Sequence, residues 1–169
     1  MEQGGDTVAP MATRHRTFSF TSLDTDGIAD EMRSFADGAD GKRWLNIVPD
    51  ADDNEIHTGS IFWRMFSSRG PVIPQLTWLP AHPSKNGVEP AQVGVAHATG
   101  RSALERLSDR GVSVPSGFQP IQDHQKRGVI FILDPNVPSS SIIHFGMGAL
   151  RELSPFEFED AFLATFSQQ

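Results

Sequence analysis

The chain has 169 residues, 38% apolar and 21% charged, with a formal net charge of −7 and no cysteine. That length suits one core burying about 70% of the unfolded surface, which needs neither disulfide nor metal for stability. The acidic balance, with Lys and Arg spread along the chain, argues against nucleic acid as a partner. The lack of thiols removes Cys nucleophiles and Cys-ligated zinc, and suits a soluble, cytoplasmic protein.

Residues 1–14 carry Gly4-Gly5 and Pro10 without periodicity and lack the apolar core of a secretory signal. They are predicted to form a mobile tail, with residues 15–169 as one domain. Thr17-Phe-Ser-Phe-Thr21 alternates as a half-buried strand does. Asp24 stands where an N-cap accepts a backbone N–H, and Ile28, Met32, Phe35 and Ala36 fall on one face of a helix over 25–36, with Gly38 and Gly41 at its exit. Trp44 to Val48 is predicted as a second strand, ended by Pro49 and the solvated acidic run Asp50, Asp52, Asp53 and Glu55. Ser60 to Ser68 fits a buried strand or a short helix, and strand is the reading adopted.

Gln75 to Leu79 is apolar and fenced by Pro71 and Pro74, and Pro80 to Pro90, with Asn86-Gly87, is predicted as an exposed loop. Gln92 to Ala98 is read as a strand with Val93, Val95 and His97 on one face, followed by a helix over 101–110 that turns Leu104 and Leu107 inward and closes at Gly111. Phe118 to Gln122 and Val129 to Leu133 are predicted to pair as an antiparallel hairpin, with Pro120 marking an edge. Ser140 to Phe145 is read as a strand. Ser154-Pro155-Phe156-Glu157 has the composition of a capping box with proline at the first helical position, opening a helix over 155–166 with a stripe of Phe158, Phe162, Thr165 and Phe166. No run approaches the about 20 apolar residues that span a bilayer, so no membrane partner is expected.

Two stretches could carry chemistry. The first is His97 with Thr99, Gly100, Arg101 and Ser102, where a strand hands over to a helix. Backbone N–H groups at such a helix start attract carboxylate or phosphate, and an arginine fork reinforces them. The competing reading is a satisfied core histidine beside an ordinary capped helix. The second is the polar reversal holding Asp123, His124, Lys126 and Arg127. A carboxylate beside an imidazole prepares a general base, but the same residues suit a solvated hairpin turn. None of the six histidines has another three to five residues away, and there is no H-E-x-x-H, so no metal site and no cofactor are expected. Gly-x-Ser-x-Gly, G-x-x-x-x-G-K and G-x-G-x-x-G are all missing.

These elements predict an α+β fold: a two-layer sandwich of a largely antiparallel or mixed sheet with about three helices on one face. Three functional readings follow. The first is a binding or accessory module that accepts a small anionic molecule through His97, Thr99, Gly100, Arg101, Ser102 and Arg127. The second is a hydrolase-like enzyme with His97 or His124 as general base and Asp123 orienting it. The third is a structural subunit that associates with a second copy.

Overall fold

The computed structural model describes residues 12–51, 73–97 and 100–169. Within them the chain folds as α+β: β1 (Arg14–Phe20), α1 (Asp26–Ala36), β2 (Arg43–Pro49), β3 (Gln75–Leu79), β4 (His82–Ser84), β5 (Gly87–Glu89), β6 (Gln92–Ala96), α2 (Ala103–Asp109), β7 (Phe118–His124), β8 (Gly128–Leu133), α3 (Ser139–Leu153) and β9 (Phe162–Gln168). Seven strands form one sheet in the order β1-β9-β2-β3-β6-β8-β7, every pair antiparallel, while β4 and β5 pair only with each other. The tail residues 1–11, the acidic residues Asp52, Asp53 and Glu55, the stretch Ser60 to Ser68, Ala98 and Thr99 lie outside the described residues.

The core follows from period-two alternation meeting helical stripes. Leu45 and Ile47 of β2, Leu76 and Trp78 of β3, Val93 and Val95 of β6, and Phe162, Ala164 and Phe166 of β9 are all buried. They join Ile28, Ala29, Met32 and Phe35 of α1 and the long apolar side of α3 in one cluster. α3 packs against β2, β3 and β6, α2 against β7 and β8, and α1 against α3.

Two elements differ from expectation. Ser140 to Phe145 is the start of helix α3, not a strand. The apolar Ile142-Ile143 pair and Gly146 invite a strand that stops at the glycine. The buried set Ile142, Ile143, Gly146, Met147, Ala149, Leu150 and Leu153 instead keeps helical spacing through that point. Gly146 is a contact residue rather than a terminator, because a Cβ there would lie 2.5 Å from Leu76 Cδ1.

The residues 155–166 do not form a helix. Ser154 is the C-cap of α3, its hydroxyl accepts from Phe156 N at 3.4 Å, and β9 begins at Phe162. Phe162 and Phe166 satisfy a helical stripe and a strand alternation equally well. Long-range pairing decides, since β9 lies between β1 and β2 with a full ladder on each side.

Smaller departures have local causes. The N-cap of α1 is Thr25, not Asp24, and no side chain caps it. Pro80 to Pro90 contains the β4–β5 hairpin. β1 starts at Arg14, three residues before the alternation of Phe18 and Phe20 becomes visible in the apolar pattern. Pro120 lies in β7, an edge strand, beside a register shift between Pro120 and Gln122.

Candidate functional site

The turn from β6 into α2 is closed by the chain itself. Ser102 is the N-cap of α2, and its side chain accepts from Glu105 N at 3.2 Å, the spacing of a capping box. Asp123 reaches across from β7: its carboxylate accepts the Ala103 N–H at 3.0 Å and the Ser102 hydroxyl. An internal carboxylate therefore occupies the position at this helix start where an anion is most favoured. Arg101, the residue before that N-cap, reaches along α2 to Glu105 at 3.0 Å and Asp109 at 3.4 Å, which raises its pKa further, first through the Glu105 hydrogen bond. Among the described residues no side chain or backbone of another segment lies within 4 Å of where a Cβ on Gly100 would stand.

His124 closes the β7–β8 reversal, its Nδ1 accepting from Lys126 N at 3.1 Å and Arg127 N at 3.3 Å, while Arg127 is exposed. His97 follows β6 and is completely buried. Burial holds its pKa below the ordinary value, the nearby Asp123 carboxylate opposes that, and Arg106 adds to it. Arg106 is in turn fixed by donating from Nε to Glu152 O at 3.2 Å. The structure thus brings His97, Asp123, Ser102 and α2 together, and leaves Arg101 and Arg127 on exposed surface.

A neutral buried imidazole makes folding depend on pH. Below pH 6.5 the unfolded chain takes up a proton at His97 that the folded chain binds only at lower pH, so stability rises with pH across that interval and is lost as pH falls through it. Urea unfolding at pH 7.5 and pH 5.5 should show this loss, and His97→Gln should reduce the difference between the two pH values. An unchanged difference in the variant would assign the pH dependence elsewhere.

A different concavity gathers positive charge. In the ladder, Arg14 and Arg43 both face Gln168, forming one row across β1, β9 and β2, and Arg16 and Leu45 face Phe166 in the next. Arg14, Arg16, Arg43, Phe166 and Gln168, with Phe35 of α1, line a cavity of about 670 Å³. Its apolar floor is Phe35 against Phe166, ring centroids 5.1 Å apart. Arg43 is held rigidly: Nη1 donates to Phe35 O at 3.1 Å and Asp37 O at 2.9 Å, and the guanidinium lies 5.6 Å over the Phe35 ring. Its Nε is buried with no acceptor among the described residues. Arg16 pairs with Glu31, and Arg14 makes no ion pair among the described residues.

Three guanidinium groups at this cavity are matched by one carboxylate, in a chain whose net charge is −7. A smaller cavity of about 470 Å³ also holds arginines, Arg106, Arg110 and Arg151, but Glu152 and Glu157 share its wall. Arg151 there is paired with Asp160. Its charges largely cancel, so the first cavity carries the larger excess of positive charge.

Sequence reasoning passed over Arg14, Arg16 and Arg43. The signal was the alternation Arg14, Arg16, Phe18, Phe20, which places both exposed arginines on the same face of the strand as the buried Phe20 once the strand starts at residue 14. Nothing in the sequence brings Arg43 beside them, because that requires β9 between β1 and β2. Among the described residues no group of three His, Asp or Glu side chains is placed to hold a metal ion, and no helix is long and apolar enough to cross a membrane. No protein-family model, curated protein or solved structure matches the chain.

Proposed function

We propose that the protein is a binding or accessory module that accepts a small anionic molecule, and that its site is the cavity lined by Arg14, Arg16 and Arg43. The observation that carries this reading is the cluster of guanidinium groups from β1 and β2, on either side of β9, over an aromatic floor. Arginine forks match carboxylate and phosphate oxygens bidentately, and the buried Phe35–Phe166 pair beneath them holds the floor in place. A volume of about 670 Å³ suits a small molecule. Cytoplasmic metabolites bearing carboxylate or phosphate are the ligand class.

A thermal-shift series with phosphate, citrate and benzoate tests the reading. Binding to the folded state at a hundredfold excess over Kd should raise Tm by about 5 to 10 °C. The double variant Arg14→Ala/Arg16→Ala, altered at residues of an edge strand, should lose that response while keeping a cooperative transition. No response to any of the three anions, or an undiminished response in the double variant, would overturn it.

A further inference from the structure

On the other side of α1 lies a second cavity, of about 760 Å³, between the C-terminal end of α1, the end of β3, the β4–β5 ribbon and the start of α3. Its wall is mostly apolar, from Trp78, Val88, Ala91, Leu133, Val137 and Ile142. Trp78 is only 4% exposed, and its indole Nε1 is buried with no acceptor among the described residues. A buried N–H without an acceptor forfeits a hydrogen bond that water supplied in the unfolded chain. The backbone of Trp78 is paired on both sides, with Leu45 of β2 and Val93 of β6. The ribbon forms the outer wall: β4 and β5 pair with no strand of the large sheet, and Val88 on it is 75% exposed.

We infer that this cleft is a second ligand site, for a largely apolar, uncharged small molecule carrying a carbonyl or ether oxygen that accepts the Trp78 indole N–H. Arg33, Asp37 and Asp134 lie at its margins, one cation with two carboxylates, so the cleft does not share the preference for anions of the arginine cavity. A slight outward movement of the ribbon admits the acceptor to the covered N–H, and the apolar body then buries the exposed surface of Val88. The inference stands apart from the anion site, since it rests on different side chains.

The probe is Nile red, an uncharged apolar dye with a carbonyl oxygen, titrated into the full chain. Saturable emission enhancement with one site is expected, and the indole Nε1–H resonance of Trp78, assigned by its loss in Trp78→Phe, should move during the titration. Trp78→Phe keeps an aromatic ring and removes the donor, and should weaken binding about fivefold, the worth of one neutral hydrogen bond. Val88→Asp, on the exposed ribbon, should weaken it about tenfold without changing Tm, by placing a charge against the apolar probe. Absence of saturable binding, a Trp78 indole signal that stays fixed at saturation, or full binding by Val88→Asp would each overturn the inference.

Discussion

Gly128→Ala is expected to lower stability by about 4 kcal/mol or to prevent folding, the largest effect of any single methyl addition among the described glycines. Gly128 opens β8 directly after the turn closed by His124, with φ +86°. That left-handed conformation alone costs an alanine about 1 kcal/mol. The greater obstacle is space, because the added Cβ would lie 1.9 Å from Val95 O and 2.9 Å from Ala96 Cα. Both contacts are backbone, so no side chain can rotate away. The ladder of β6 and β8 must part near the Val95–Val129 pair, next to the seat of His97. Gly38 provides the comparison, with φ +71° and no atom within 4 Å of an added Cβ. Gly38→Ala should cost only about 1 kcal/mol, from backbone conformation alone. Urea denaturation of the two variants separates the effects, and equal losses would mean that the close approach of β6 and β8 is not as described.

Phe131→Ala should cost about 4 kcal/mol by the same measurement. Phe131 is completely buried on β8 and meets Phe118 at 5.6 Å and Phe145 at 5.5 Å, edge to face, while Phe118 and Phe145 are 5.2 Å apart. The three rings join the edge strand β7, the strand β8 and helix α3. Removing the central ring leaves a cavity between a sheet and a helix that are each held by backbone hydrogen bonds and cannot close on it. Phe131→Leu, which refills most of the volume, should cost about 1.5 kcal/mol. A loss of under about 1 kcal/mol for the alanine variant would show that the ring cluster collapses without it.

The pattern of apolar residues revealed the elements whose signals are local. α1, β2, β3, β6, α2 and the β7–β8 hairpin all come from alternation or helical spacing bounded by Gly, Pro or a capping residue. The two exchanged elements, α3 and β9, show where local pattern runs out. Gly146 resembles a stop, yet it is where α3 rests on Leu76, a contact no neighbouring residue announces. Ser154-Pro155 resembles a helix start, yet Phe162 to Gln168 is drawn into the sheet by partners more than a hundred residues away. The turn into α2 was legible as a place that attracts a carboxylate. That Asp123 supplies it was not, since the pairing of β7 with β8 determines where that side chain lies. The arginine cavity was hidden for the same reason: its arginines belong to two strands, β1 and β2, that are brought together only by β9 between them.

The most direct test of anion binding observes the guanidinium groups themselves. In ¹⁵N-labelled protein the arginine Nε–Hε resonances are titrated with benzoate and, separately, with phosphate, each assigned by single Arg→Lys variants. Saturable shifts concentrated at Arg14, Arg16 and Arg43 are the predicted result. Spectra in which those three stay still, or in which only Arg101 and Arg127 respond, would contradict it.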